Sequence, residues 1–115
     1  MKVMLVEDEA MIAMVMEDFL ADLDCEVAGP FGAVAPALAW LDAEATPPDA
    51  AVLDVNLGSE RVFPVAEALR ARGVPFVFAT GYGMIEDRRF DDAPVLSKPI
   101  DLDKLAVVVD GFRPA

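Results

Sequence analysis

The chain has 115 residues, 56% of them hydrophobic, with 21 acidic residues against 9 basic ones and a formal net charge of −12. This length predicts one domain with its own core, and the negative charge argues against a nucleic-acid partner, because phosphate contacts need a basic face. The chain has one cysteine, Cys25, so it cannot form an intrachain disulfide, and we expect a reducing, cytoplasmic setting. It has no histidine, which excludes histidine-based triads and histidine-ligated zinc sites. No apolar run approaches the ~20 residues that a membrane span needs.

Short apolar runs alternate with helical patterns along the whole chain. A continuous apolar run predicts a first strand over 2–6, buried on both faces, and apolar residues at helical spacing predict a helix over 9–23. The later predicted elements are a strand over 26–28 closed by Gly29-Pro30, a helix over 34–45, a strand over 50–54, a helix from 63 stopped by Gly73, a strand over 75–80, a short charged helix over 84–90, a strand over 93–97 and a last helix capped by Asp101. This alternation predicts a parallel sheet with helices on both faces.

Polar side chains follow four of the predicted strands, at their carboxyl ends. They are Glu7 and Asp8 after the first strand, Asp54 at the end of the third, Thr80 at the end of the fourth and Lys98 after the fifth. Sites in open parallel sheets lie at this edge. We therefore expect these side chains to meet in one crevice.

Three carboxylates in one crevice repel one another unless a cation intervenes. A hard divalent ion with oxygen ligands removes this conflict, and Mg²⁺ suits carboxylates, water and phosphate oxygens. Asp54 ends an apolar strand, where an unpaired charge is costly. Lys98 is the expected ion-pair partner, and the bond to Pro99 is a candidate cis peptide that aims Lys98 at the sheet edge.

Each of these residues also has an ordinary structural interpretation. Glu7 and Asp8 fit an acidic helix N-terminus, which the helix dipole favours. Lys98 alone fits a solvated surface charge, and Thr80 fits a β-branched residue that ends a strand. The sequence pattern leaves these alternatives open.

Four segments, taken in order and spacing, resemble a known family: Val6-Glu7-Asp8-Glu9, Leu53-Asp54, Ala79-Thr80-Gly81 and Ser97-Lys98-Pro99. They resemble the receiver domain of bacterial two-component response regulators, over essentially the whole chain. The resemblance implies an α/β, flavodoxin-like fold with a five-stranded parallel sheet of order 2-1-3-4-5. It also implies a single receiver domain over 1–115, without an output domain.

The resemblance implies a role for each site residue. Asp54 would be the phosphoacceptor, and Mg²⁺ would be held by Glu7, Asp8, Asp54 and the backbone carbonyl of Asn56. Thr80 and Lys98 would contact the phosphoryl group. The protein would be a signalling switch rather than an enzyme, catalysing only its own phosphorylation and slow autodephosphorylation.

The same resemblance implies the partners. The phosphoryl donor would be a histidine kinase or a histidine phosphotransfer protein, and the output would pass to an unknown downstream protein. The surface formed by the fourth predicted helix, the fifth strand and the last helix is the expected partner or homodimer face. No nucleic acid or membrane partner is expected.

One position departs from the family pattern. Val95 stands where many receivers have a switch Tyr or Phe, and the segment 78–82 instead resembles a receiver subgroup with a Phe-Ala-Thr-Gly signature. Tyr82 is therefore our candidate for relaying the conformational change. The alternative is that Tyr82 is a loop aromatic that partly covers the site.

Three other functions fit part of this sequence pattern. A pseudo-receiver would bind partners without phosphorylation, but it does not need the intact acids, Thr80 and Lys98. A Mg²⁺-dependent phosphohydrolase with an aspartyl-phosphate intermediate needs a second aspartate where Asn56 stands, and Asn cannot relay a proton. A flavodoxin needs a hydroxyl-rich phosphate loop after the first strand, where this chain has Glu7 and Asp8.

Overall fold

The computed structural model describes residues 1–81 and 85–113. Its elements, in chain order, are β1 (Lys2–Val6), α1 (Ala10–Asp22), β2 (Glu26–Phe31), α2 (Val34–Ala43), β3 (Ala50–Asp54), β4 (Asn56–Leu57), β5 (Glu60–Arg61), α3 (Phe63–Ala71), β6 (Phe76–Thr80), β7 (Val95–Ser97) and α4 (Leu102–Phe112). Five parallel strands form the main sheet in the order β2-β1-β3-β6-β7. Counting only these strands, this is the predicted order 2-1-3-4-5, so the predicted fold is confirmed.

The sheet separates two hydrophobic clusters, as expected for strands buried on both faces. Alternate residues of each central strand belong to opposite clusters, because successive side chains of a strand point to opposite sides. Leu53 and Phe78 lie in the cluster shared with α2 and α3, whereas Val52 and Val77 lie in the cluster shared with α1 and α4. All five residues of β3 and all five of β6 are buried. The core thus holds rigid the two central strands that end at the predicted site.

Four phenylalanines form a ring cluster against β6. The rings of Phe63, Phe76, Phe78 and Phe90 pack with centroid separations from 5.2 to 5.9 Å. Phe90 is buried although its neighbours in the chain are polar. The cluster fixes the segment that follows β6 onto the α3 side of the sheet.

The predicted helix over 84–90 is wrong in its described part. Only Arg88–Phe90 are helical, as a single 3₁₀ turn, and the Asp87 side chain accepts a hydrogen bond from the Arg89 N–H at 3.0 Å. The segment has charged residues but a single buried apolar anchor, Phe90, so no apolar stripe is available to pack a longer helix. Within the described residues 85–90, the expected partner face therefore has a 3₁₀ turn where a helix was predicted.

The predicted end of the second strand is also wrong. β2 continues through Gly29 and a cis Gly29–Pro30 peptide to Phe31, with a register shift against β1 between Met4 and Val6. β2 is an edge strand, where the missing N–H of proline is tolerated. Gly29 has φ +111°, and a Cβ there would lie 2.6 Å from the carbonyl oxygen of Leu5, so only glycine fits.

A short hairpin follows β3, and the sequence pattern did not predict it. β4 and β5 pair antiparallel around a turn at Gly58, which has φ +63°, and we refer to residues 56–61 as the site hairpin. The Glu60 carboxylate accepts a hydrogen bond from the Val34 N–H at 3.1 Å, at the start of α2. The site hairpin thus joins the end of β3 to the neighbouring helix.

Two predictions about the chain after β7 are confirmed. The Lys98–Pro99 peptide is cis. The Asp101 carboxylate caps α4 by accepting hydrogen bonds from the N–H groups of Asp103 at 2.8 Å and Lys104 at 3.3 Å. Among the described residues, no helix has the length and apolar character that crossing a membrane requires.

Candidate functional site

Strand register brings the predicted residues to one edge of the sheet. Val6, the last residue of β1, pairs with Leu53, so Glu7 lies beside Asp54. Thr80 pairs with Ser97, and the Lys98 N–H donates to the Thr80 carbonyl at 3.0 Å. The carboxyl ends of four strands therefore converge, as the parallel topology predicts.

Three carboxylates cluster at this edge. One oxygen each of Glu7, Asp8 and Asp54 lies within 4.8 Å of the other two. Glu7 is 5% exposed and Asp54 is 4% exposed, whereas Asp8 is exposed to solvent. Two of the three acids are therefore buried, which an acidic helix N-terminus alone does not explain.

Lys98 bridges the two buried acids. Its Nζ lies 3.2 Å from Oε2 of Glu7 and 3.3 Å from Oδ2 of Asp54. Its side chain is 19% exposed, so Lys98 is not the solvated surface charge that the sequence left open. A buried ion pair of this kind is costly to desolvate, and removal of either partner would leave an uncompensated buried charge.

Backbone groups complete the acid pair. Asp54 Oδ1 accepts a hydrogen bond from the Asn56 N–H at 3.4 Å, and Glu7 Oε1 accepts one from the Glu9 N–H at 3.2 Å. Asn56 lies in β4 of the site hairpin. Thr80 is buried at the end of β6. Tyr82, the candidate relay residue, lies outside the described residues.

Burial raises the pKa values of both buried acids. Burial, followed by repulsion from Asp54, raises the pKa of Glu7 to about 7, although Lys98 opposes this shift. Burial also raises the pKa of Asp54 above its usual value, again against the attraction of Lys98. Burial disfavours the Lys98 ammonium, but Asp54 and then Glu7 outweigh it, so the pKa of Lys98 is raised. One ammonium does not neutralise this acid cluster.

The residues present fit a hard divalent cation. Three carboxylates and one ammonium carry a formal charge of −2, and the donor atoms of the acids are all oxygen. Mg²⁺ prefers such ligands and is commonly held by one or two carboxylates plus water and phosphate oxygens. A cation bound here would also remove the repulsion that raises the pKa of Glu7.

We expect the metal-free protein to become less stable as pH rises toward 7. The pKa of Glu7 rises from 4.5 to about 7 on folding, so between these values the native state binds more protons than the unfolded state. The free energy of unfolding then falls with rising pH, by up to about 3 kcal/mol for this group. Glu7→Gln should flatten the slope in urea unfolding with a chelator present, leaving the part due to Asp54. Glu9→Gln, an exposed neighbour, is the control, and an unchanged slope in Glu7→Gln would contradict the assignment.

One ion pair near the site was not predicted. Arg61 on β5 lies with its Nη2 3.0 Å from Oε1 of Glu86, in the segment after β6. Both residues are charged and exposed, and neither belongs to a periodic pattern. The sequence therefore carries no signal that pairs them.

Comparisons with known proteins point to one family. The family model described as response regulator receiver domain matches residues 3–110. The solution structure of SdrG from Sphingomonas melonis Fr1 is 48% identical, with 96% of this chain and 94% of that chain covered and a TM-score of 0.83. A solution structure of the BeF3-activated conformation of SdrG from Pseudomonas melonis Fr1 is 49% identical, with 95% and 92% covered and a TM-score of 0.75.

More distant structures share the fold. The receiver domain of the sensor histidine kinase PA1611 from Pseudomonas aeruginosa PAO1, with a magnesium ion coordinated in its active site cleft, is 23% identical. The match spans 96% of this chain and 95% of that receiver domain, with a TM-score of 0.80. A comparison with curated proteins gave no match.

Proposed function

This chain belongs to the response regulator receiver domain family, and on this premise we propose that it is a phosphorylation switch whose phosphoacceptor is Asp54. The observation that carries the proposal is the position of Lys98, whose ammonium contacts the buried carboxylates of Glu7 and Asp54 at 3.2 and 3.3 Å. A carboxylate held beside a fixed cation at a sheet edge can attack a phosphoryl group that the same cation stabilises. Members of this family are signalling modules, and we propose that this chain catalyses its own phosphorylation.

The proposed transfer needs little covalent chemistry from the protein. An Asp54 oxygen forms a bond to phosphorus while the bond from phosphorus to the donor's imidazole nitrogen breaks, and the leaving imidazole takes up a proton. Lys98 holds one phosphoryl oxygen as a point charge, and the Thr80 hydroxyl donates to another. A bound Mg²⁺ would supply charge neutralisation to the transferring oxygens.

Mg²⁺ is the proposed metal, held by Glu7, Asp8, Asp54 and the backbone carbonyl of Asn56. The acid cluster and its formal charge support this assignment. The magnesium ion in the related PA1611 receiver domain and the BeF3-activated conformation of SdrG support the metal and the phosphoryl switch, respectively, by analogy.

The proposed donor is a histidine kinase or a histidine phosphotransfer protein in the cytoplasm, and the output is contact with a downstream protein. Phosphorylation replaces the single charge of the Asp54 carboxylate with a phosphoryl group that carries about −1.5 to −2. Thr80 and Lys98 would move toward this charge and shift the surface around β6 and β7. A relay through Tyr82 and a homodimer through the face of β7 and α4 stay predictions.

Phosphorylation of Asp54 can be tested by intact mass. After incubation with Mg²⁺ and acetyl phosphate, the protein should gain the mass of one phosphoryl group, and chelation of Mg²⁺ should prevent the gain. Asp54→Asn should abolish it because an amide is not a nucleophile toward phosphorus. Asp49→Asn is a matched control, since Asp49 precedes β3 whereas Asp54 ends it.

Other outcomes distinguish the alternatives. No mass gain in the wild-type protein would support the pseudo-receiver and contradict the proposal. Rapid catalytic release of phosphate that depends on Asp54, much faster than the slow autodephosphorylation expected of a switch, would support the phosphohydrolase. A gain that survives Asp54→Asn would place the phosphoacceptor elsewhere.

A further inference from the structure

Arg61 pairs across the site hairpin with a residue that lies two positions after the proposed phosphoacceptor, Asp54. In the site hairpin, Arg61 on β5 pairs directly with Asn56 on β4. The N–H of Asn56 in turn donates to the Asp54 carboxylate at 3.4 Å. The backbone therefore couples the position of Arg61 to that of Asp54.

An open cavity of about 600 Å³ adjoins the site at this point. Its lining residues are Asn56, Gly58, Ser59, Glu60, Arg61 and Glu86. Among the described residues that line it, Arg61 carries the only positive charge. The guanidinium is paired with Glu86 at 3.0 Å, and their side chains are 48% and 61% exposed. Arg61 can therefore turn in solvent without moving β5.

The charge balance of the site changes on phosphorylation. With one divalent cation, the three carboxylates and the Lys98 ammonium sum to a formal charge of zero. Conversion of the Asp54 carboxylate to a phosphoryl group with about −1.5 to −2 charge leaves a surplus of up to about one negative charge. A further cation at the rim of the site would neutralise it.

The two partners open to Arg61 differ in strength. Its present partner, Glu86, is a single exposed carboxylate, and water screens such pairs strongly. A phosphoryl group offers more charge and three acceptor oxygens, which the planar guanidinium can bind through two parallel hydrogen bonds. The phosphoryl group is thus the better partner when it is present.

We propose that Arg61 is a second cationic ligand of the phosphoryl group and that it leaves Glu86 to bind it. The proposal rests on the proposed function, since it needs a phosphoryl group on Asp54. Glu86 lies in the segment that leads from β6 to the 3₁₀ turn at Phe90. Release of Glu86 would detach this segment from the site hairpin, which converts phosphorylation into a change at the surface after β6.

The test uses beryllofluoride with Mg²⁺ as the phosphoryl mimic and follows its affinity for the full chain by NMR titration. Arg61→Ala should weaken binding about tenfold, as expected for a lost hydrogen bond to a charged group. Arg61→Lys keeps the positive charge but not the planar guanidinium, so its affinity should lie between those of Arg61→Ala and the wild type. Glu86→Gln should tighten binding, because it frees Arg61 from its competing partner.

The opposite signs of the two effects are the decisive result. If Arg61 served only to hold Glu86, both variants would break the same pair and shift the affinity in the same direction, which would overturn the proposal. Arg72→Ala and Asp42→Asn are matched controls, because Arg72, just after α3, forms a 2.6 Å surface pair with Asp42 on α2 that has the same charges. Their shifts measure the effect of net charge alone, and shifts as large as those at Arg61 and Glu86 would also overturn it.

The outcome for the wild-type protein separates the two proposals. If the wild type binds beryllofluoride and Arg61→Ala binds equally well, the role of Arg61 is wrong while the phosphorylation switch stands. If the wild type does not bind the mimic at all, both proposals are wrong. Thermal unfolding of each variant without ligand identifies any loss of affinity that comes from misfolding.

Discussion

The Lys98→Met variant is expected to lose about 2 kcal/mol in the free energy of unfolding at about pH 8, and much less at about pH 5. Methionine keeps the length of the side chain but leaves the buried Glu7 and Asp54 carboxylates without the ammonium that contacts both. Removal of one partner of a buried ion pair is strongly destabilising, but here protonation of an acid limits the loss. Because each lone carboxylate then has a still higher pKa when folded, the stability of the variant falls as pH rises.

The same variant should bind Mg²⁺ more tightly in the absence of a phosphoryl group, on the order of tenfold, because Lys98 and the metal compete for the same acids. It should also lose most of its affinity for beryllofluoride, since the point charge proposed to hold a phosphoryl oxygen is gone. Calorimetric titration measures the affinities for Mg²⁺ and for beryllofluoride, and urea unfolding measures the loss of stability. Lys104→Met, an exposed lysine on α4, is the control. Weaker Mg²⁺ binding by Lys98→Met would contradict the competition between lysine and metal.

The Phe78→Ala variant should lose about 3–5 kcal/mol in the free energy of unfolding. Phe78 is fully buried at the centre of β6, and its ring contacts those of Phe63, Phe76 and Phe90. The loss combines the transfer free energy of the ring with the cavity left among the other three rings. Since domains of this size are stable by about 5–15 kcal/mol, this loss is a large part of the total stability.

Urea unfolding of Phe78→Ala and Phe78→Leu tests the role of the ring cluster. Leucine fills part of the space, so its cost should be well below that of alanine. The alanine variant should also loosen the 3₁₀ turn that Phe90 anchors, visible as faster amide hydrogen exchange at 88–90. A loss below about 1 kcal/mol for alanine would mean that the rings contribute little beyond ordinary surface contacts.

Much of the site could be predicted from the sequence because of how a parallel sheet is built. The site residues end an apolar strand (Asp54, Thr80) or directly follow one (Glu7, Lys98), and parallel strands gather their carboxyl ends at one edge. The cis peptide at Pro99 was predictable for a related reason, since few bonds other than X–Pro adopt it. These sequence signals are local, and the parallel topology of the sheet brings the residues that carry them close together.

The two secondary-structure predictions that were wrong have a different origin. In its described part, residues 85–90, the predicted helix is only a 3₁₀ turn, because the packing of Phe90 on Phe63 and Phe76 takes the place of an apolar stripe. The second strand runs through Pro30 since its position at the sheet edge tolerates a missing donor. Both outcomes depend on residues distant in sequence.

The alternation of buried strands and helices, the strand ends that carry Glu7, Asp54 and Lys98, and hence the family can all be read from the sequence. Those features follow from hydrophobic periodicity and from the types of residue at each strand end. Tertiary packing is what brings Lys98 into contact with both buried acids, raises the pKa of Glu7 by burial, and pairs Arg61 with Glu86 beside the site. Burial and the choice of ionic partner are set by contacts between distant segments, and no local pattern encodes them.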